Sequence, residues 1–411
     1  MIAYVWPESR SSGAGFRMME WVHLFVQEGW KVHVSSPSQP SEHANDLAAL
    51  GVESSPIALN DASFDRFVAD LQPDVVLFDR FMMEEQFGWR VELNCPKALQ
   101  LLETIDLHTL REARHQVVKR TQAVALEVTP QDLFSEIAKR EIASICRVDL
   151  SLLISDAEID ILQHFFGVKR ELLHHCPFML DASHRPAHMP AFEERVHFMT
   201  IGNFRHAPNW DAVLWLKQTI WPLIRAQLPK AELHIYGAYA PPKAMAIHAP
   251  KEGFFIEGRA EDALEVVKAA RICLAPLRFG GGIKGKLADA MLAGTPSVTT
   301  SVGAEGMTGG RPWSGAVEDD AESFAQAAVA LYQDAILWQQ AQQRGDDILQ
   351  HWFHKKQNET ALLARLESLM ANLAEHRLHN FTGAMLRHHQ HRSTEFMSRW
   401  IALKNKPADI Q

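Results

Sequence analysis

The chain has 411 residues, enough for two domains that each bury a core. Its apolar fraction of 47% and charged fraction of 22% are those of a soluble globular protein, and no run approaches the roughly 18 apolar residues of a membrane span. A formal charge of -9 argues against a protein devoted to the nucleic-acid backbone, a role that shows as a basic excess, so nucleic acid is not expected as a partner. Cys95, Cys146, Cys176 and Cys273 are scattered without a C-x-x-C pair, which points away from a disulfide framework or zinc site and toward a reducing cytoplasm.

In chain order, "MIAYVWPES" has no basic stretch and too short an apolar run for a signal peptide, and reads as a first strand. Strand-like runs follow at "KVHVSS" (31–36), "DVVLFD" (74–79), "PKALQLL" (96–102) and "DLSLLIS" (149–155). Between the first two lies "GFRMMEWVHLFVQEGW", in which Met18, Met19, Val22, Phe25 and Val26 recur at helical spacing before a stop at Gly29. Such alternation predicts a parallel sheet with helices on both faces. The Pro- and His-rich stretch "PFMLDASHRPAHMPAFEE" (177–194) breaks the pattern and reads as a linker.

Alternation restarts with "RVHFMTIG" (195–202), a helix around "NWDAVLWLKQTIWPLI", then "AELHIYG" (231–237), "EGFFIEG" (252–258), "RICLAPL" (271–277) and "TPSVTT" (295–300). The expected fold class is α/β, two doubly wound, Rossmann-like parallel-sheet domains facing across a cleft lined by strand carboxyl ends. Residues 1–180 form the first domain and 181–372 the second, with 373–411 returning to the first. From about residue 320 the chain reads as helical. Phe381, Met385, Phe396 and Trp400 fall at or near multiples of four among Arg and Lys residues. A basic amphipathic helix of this kind either packs across a domain with its charges in solvent or lies on an anionic membrane surface.

The most informative stretch is "LRFGGGIKGKLADAMLAGTPSV" (277–298). Counted from Gly280 it fits G-x-x-x-x-G-K between a strand and a helix, the setting of a nucleotide-triphosphate loop. The next residue of that motif must be a magnesium-ligating hydroxyl, and Leu287 cannot serve. What remains is an anion site: glycines let backbone N–H groups approach a phosphate at a helix start, and Lys284 and Lys286 add two charges. At an effective dielectric of about 20 each charge is worth on the order of 4 kcal/mol at about 4 Å, so together they can replace a metal opposite a diphosphate. Asp289, about one turn on, can accept hydrogen bonds from a ribose or simply face solvent.

Elsewhere, "ETIDLHTLR" (103–111) follows a strand, which puts Asp106, His108 and Arg111 at the cleft rim. "SSGAGFRMM" supplies Gly13 and Gly15 between first strand and first helix, either for close approach to a phosphate or sugar or for a tight turn. Glu84 and Glu85 in "DRFMMEEQFGW" can meet acceptor hydroxyls or charge a helix start. Glu158 in "SDAEID" reads as a cap or charge at a helix N-terminus. The histidine pairs "HHCP", "HWFH" and "HHQH" lack an acidic pair at ligand spacing, and no metal is expected.

Taken together, "APLRFGGGIKGKLADAMLAGTPSVTTSVGAEGM" (275–307), "IGNFRHAPNWDAV" (201–213) and "LHIYG" resemble the nucleotide-binding domain of retaining glycosyltransferases of family 4, which have the GT-B fold. The resemblance implies a sugar-nucleotide donor held without a metal. On it, Lys284 and Lys286 are diphosphate ligands, Asp289 is the ribose carboxylate, and Arg205 is the basic partner on the facing loop. It also brings Gly237, Gly281, Gly282 and Ile283 into the donor site beside Gly13 and Gly15, and makes His108 the histidine beside the donor sugar. Asp106, Glu84 and Glu85 fall to the acceptor. The family's E-x7-E pattern expects a glutamate eight positions before Asp289, where this chain has Gly281.

The expected function is transfer of a sugar, hexosyl by analogy, from a nucleotide-diphosphate sugar to an acceptor hydroxyl with retention of configuration and without a metal cofactor, in glycan biosynthesis. His108, Arg205 and Lys284 carry the catalytic expectation. The acceptor is a carbohydrate, glycolipid or other hydroxyl compound, and the location is the cytoplasm, with the inner membrane face as a peripheral site. The competing readings are a non-catalytic sugar- or nucleotide-binding module and a P-loop-like nucleotide hydrolase.

Overall fold

The computed structural model describes residues 1–405. A first lobe is built on a parallel sheet of β1 (His33–Ser36), β2 (Glu53–Pro56), β3 (Val75–Asp79), β4 (Leu99–Glu103), β5 (Leu150–Leu153) and β6 (Leu173–His175). The strand expected at the start is reduced to single bridges, with Ile2 paired in parallel to Ser35 on one side and Phe78 on the other. This short segment joins β1 to β3, so the sheet runs β2, β1, residues 1–3, β3, β4, β5, β6.

The second lobe holds six parallel strands: β7 (Val196–Ile201), β8 (Leu233–Tyr236), β9 (Phe254–Gly258), β10 (Ala270–Ala275), β11 (Ser297–Thr299) and β12 (Gly315–Val317). Their order is β12, β11, β10, β7, β8, β9. Both sheets thus begin in the middle and reverse direction beside their first strand. Loops diverge at that point, leaving a crevice at the carboxyl ends. In the second lobe the crevice lies between β7 and β10.

Parallel sheets covered on both faces need continuous apolar strands, and β4 and β5 are buried at every position. β2, β6 and β12 had no such signal. They are short, and β2 ("ESSP") is a largely exposed edge with no aliphatic residue to mark it. The helix Gly13–Gln27 buries Met18, Met19, Trp21, Val22, Leu24 and Phe25 against the first sheet. It ends where Gly29 adopts φ +77, a conformation L side chains avoid.

Among the described residues two segments cross between the lobes. One is the 177–194 linker, and the other joins the helix Ala335–His351 to the helix Lys355–Ala371. Leu362, Leu366 and Leu369 of the latter pack in one cluster with Trp21, Leu101 and Leu150. The return to the first lobe therefore starts at Lys355, ahead of residue 373, because helical spacing does not reveal which lobe a helix covers. The crossings are tied together, with Leu180 N–H donating to Phe353 O at 2.8 Å and Lys355 N–H to Leu180 O at 2.9 Å.

Beneath the first crossing, buried Arg17 donates to Glu103, Glu20, Cys176 O and Pro177 O. Glu20 in turn accepts from Met179 N–H at 2.7 Å. The helix Phe381–Lys404 lies on the helices Phe81–Asn94 and Glu136–Arg147, with Asn380 donating to Cys146 O and Arg387 to Arg147 O. Gly383 permits that approach, since a Cβ there would stand 2.2 Å from Cys146 O. Phe381, Met385, Phe396, Trp400 and Leu403 remain exposed on its outer side. No helix among the described residues is long and apolar enough to cross a membrane. Lys406, just beyond the helix Phe381–Lys404, lies outside the described residues.

Candidate functional site

The crevice between β7 and β10 is lined by residues 202–206 from one loop and 276–284 from the other, with the helix Gly285–Leu292 opening at its mouth. Lys286 Nζ donates to Asn209 Oδ1 at 2.8 Å. Asn209 is itself fixed by donating to Asn203 O at 3.0 Å. Gly202 makes this approach feasible, because a Cβ there would lie 2.6 Å from Asn209 Nδ2 and 2.8 Å from Lys286 Nζ. Gly237 acts one layer further back: a Cβ would stand 2.2 Å from Gly202 O. It is a spacer for the loop, not a wall of the crevice.

Lys284 lies at the helix cap, and its amine folds onto the loop, donating to Gly281 O at 3.1 Å and Gly282 O at 2.6 Å. Burial lowers Lys284 to about 8, opposed by Glu305, and lowers Lys286 likewise to about 8. Ile283 is a core side chain, packed with Ile154, Leu287 and Met307. Only its backbone belongs to the site. Leu287 is fully buried in the same cluster, so no magnesium-ligating hydroxyl completes a triphosphate loop. Asp289 sits one turn on, pushed up to about 7 by burial and then by Asp262.

Opposite lies the first lobe. Gly281 abuts Glu158 and Asp106, whose oxygens would be 3.0 and 3.2 Å from a Cβ at 281. Gly282 has φ +58 and lies under Ile105 O, at 2.8 Å from a Cβ position. The glycine run is needed for this contact between lobes. Ile105 also has a positive φ, +64, and its N–H is held by Glu103 at 3.0 Å. That turn presents Asp106, which pairs with Arg111 and lies 3.6 Å from His108 Nε2. Burial opposes ionisation of Asp106, but Arg111 and His108 outweigh it and hold the carboxyl well below the usual range. Burial lowers His108 to about 4, and its ring packs edge-on against Phe81. His206, across the crevice, is likewise lowered to about 4 by burial.

The structure thus brings Lys284, Gly281, Gly282, Asp106 and His108 together at the seam, with Lys286 beside them and Asp289 one turn further along the same helix. Arg205 is exposed at the rim, its guanidinium 3.8 Å over the Tyr239 ring, while Tyr239 donates to Glu8 of the first lobe at 3.2 Å. Gly13 opens the first helix, but Gly15 N–H is already capped by Ser12 Oγ at 3.0 Å. Residues 7–12 cover that end so closely that a Cβ on Gly15 would stand 2.3 Å from Glu8 O.

Glu84 does not face an acceptor space. It is buried in a two-point pair with Arg147, because its helix packs on the helix Glu136–Arg147. Glu85 pairs with Arg140 at 3.0 and 2.6 Å at a more open position. Three side chains at the crevice carry no signal strong enough to single them out in sequence. Glu158 accepts from Leu107 N–H at 2.8 Å and from Gly282 N–H of the other lobe at 2.7 Å. Arg114 reaches across to Glu305 and Gly280 O. Among the described residues no group of three or more metal-ligating side chains gathers.

Residues 195–334 match the family model described as glycosyl transferases group 1. No curated protein sequence matches the chain. Among solved structures it is similar to sucrose-phosphate synthase from Thermosynechococcus elongatus, with TM-score 0.66 and 15% identity over 90% of this chain and 98% of that one. It is also similar to Anabaena HepE, solved with UDP-glucose, with TM-score 0.66 and 12% identity over 90% and 99% of the two chains. A glycosyltransferase from Rickettsia africae matches with TM-score 0.65 and 12% identity over 88% and 96%. The chain therefore has the GT-B fold of these proteins, and the group 1 glycosyl transferase match falls on the lobe that carries the glycine and lysine loop.

Proposed function

We propose that the protein is a retaining glycosyltransferase of family 4 that moves a sugar, hexosyl by analogy, from a nucleotide-diphosphate sugar to an acceptor hydroxyl. The observation that carries this reading is the pairing of Lys284 and Lys286 at the head of the Gly285–Leu292 helix with Asp106 and His108 on the facing lobe. Support also comes from HepE, whose structures hold UDP or UDP-glucose.

Transfer with retention needs the leaving diphosphate stabilised while an acceptor attacks the same face of a cation-like sugar. Two ammonium groups and a helix N-terminus supply positive charge where a metal would otherwise serve. Burial keeps His108 neutral at pH 7, so it orients the sugar by hydrogen bonding and adds no charge. Asp289 accepts from the ribose, and closure over the glycine loop excludes water. The acceptor, a carbohydrate, glycolipid or other hydroxyl compound, enters from the first lobe. The exposed apolar side of the Phe381–Lys404 helix, set among basic residues, fits contact with an anionic membrane at the cytoplasmic face.

The deciding experiment is a screen of sugar nucleotides by thermal shift, followed by turnover with and without EDTA and by NMR of the product anomer. Inversion, or loss of activity with EDTA, overturns the mechanism. Binding of a nucleoside diphosphate without transfer to any acceptor favours the non-catalytic reading, to which the self-bonded Lys284 amine lends some weight.

A further inference from the structure

Glu158 is a cleft acid whose role the proposed mechanism leaves open. It projects from the first turn of the helix Asp156–His164 and is completely buried. One oxygen, Oε1, accepts from Leu107 N–H of the first lobe and Gly282 N–H of the second. The other, Oε2, is buried with no hydrogen-bond partner. Burying a carboxyl this way is costly unless something is gained by its geometry.

The gain is at the glycine loop. Gly282 is held at φ +58, its neighbour Gly281 stands against Asp106, and Lys284 closes on the carbonyls of both. The shape of this loop decides where the head of the Gly285–Leu292 helix and the Lys284 amine point. Within the loop, the Gly282 N–H donates to the opposite lobe through Glu158. We propose that Glu158 is a positioning residue for the anion site, a clamp whose single shared oxygen sets the glycine loop against the Leu107 turn and so fixes the phosphate-binding geometry when the cleft is closed. The proposal rests on the nucleotide-sugar reading of that loop.

Two further features fit. Burial, and then the negative charge of Asp106, push Glu158 up to about 8, so near neutral pH the group is an uncharged acid and does not repel an incoming diphosphate. Its reach also matters, because both N–H groups are met by one atom, which a shorter side chain cannot place.

The test separates geometry from charge. Calorimetry measures which of UDP, GDP, ADP and TDP the wild-type protein binds, and repeats the titration with Glu158→Gln, Glu158→Asp and Glu158→Ala, with melting temperatures recorded alongside. Glu158→Gln, whose amide oxygen accepts from both N–H groups, is expected to stay within about threefold of wild type. Glu158→Asp and Glu158→Ala are expected to weaken binding by about tenfold or more. Gly282→Ala, which forces a Cβ to 2.8 Å from Ile105 O, provides an independent disruption of the same clamp and the same expected loss. Should Glu158→Asp bind like wild type while Glu158→Gln fails, or should Ala and Asp variants that remain folded bind undiminished, the clamp is wrong. If the wild-type chain binds none of the four nucleotides or their sugars, the functional reading fails first.

Discussion

Two hydrogen bonds of 2.7 Å join the guanidinium of Arg114 in the first lobe to the carboxylate of Glu305 in the second. A third, of 3.0 Å, runs from the same guanidinium to Gly280 O at the edge of the glycine loop. The pair is mostly screened from water, so removing one partner strands the other. Arg114→Ala is expected to cost about 3 kcal/mol in urea unfolding, and Arg114→Lys to recover little of it because a single ammonium cannot make the two-point contact. Small-angle scattering should show a more open particle for both.

Lys284→Ala and Lys286→Ala are each expected to lower kcat/KM by about a hundredfold, as loss of a charge-stabilising group in a closed site commonly does. A pH dependence goes with this. Both amines are lowered to about 8 by burial, so they lose charge as pH rises through that value and nucleotide affinity falls. Binding titrations from pH 7 to about pH 9 check the direction.

Asp289 is raised to about 7, by burial first and Asp262 second. The folded form therefore holds a proton that the unfolded chain releases near its ordinary value, and this carboxyl costs progressively more stability as pH climbs through the window between them. Asp289→Asn is expected to raise the melting temperature more at about pH 8 than at about pH 5, while weakening nucleotide binding. Equal shifts at both pH values would contradict the assignment.

The alternation of strands and helices was legible because buried parallel strands such as "DVVLFD" and "RICLAPL" carry unbroken apolar runs beside their charged ends, and because glycine runs stand out from any background. The loop at 280–286 was legible for the same reason. The partners of that loop were not. Glu158 looks like an ordinary first-turn acid and Arg114 like one charge in a polar helix, and only the closing of two lobes brings them to Gly282 and Gly280. Glu84 misled in the opposite direction. As a sequence it sits at a helix start after a strand, yet Arg147, more than sixty positions away, takes both its oxygens.

Glu84→Gln is accordingly expected to act on stability and not on acceptor affinity. Leaving Arg147 buried beside a neutral amide should cost on the order of 3 kcal/mol in chemical unfolding, with KM for the acceptor unchanged.

Gly281→Glu would restore the residue that the family pattern places there. Its Cβ would lie 3.0 Å from a Glu158 oxygen and 3.2 Å from an Asp106 oxygen, adding a third acid to a crowded seam. The expected result is lower nucleotide affinity, by about tenfold, measured by calorimetry beside Gly281→Ala as the uncharged control.

The paired crossings at Leu180 and His354 restrict how the halves of the molecule can travel. A single tether would let one half swivel and slide freely over the other, whereas two tethers laced side by side behave as an axle. Swinging about that line is cheap and twisting across it is not. Any opening of the crevice is then expected to be a one-dimensional swing, and a crosslink spanning the mouth opposite the axle is expected to arrest it.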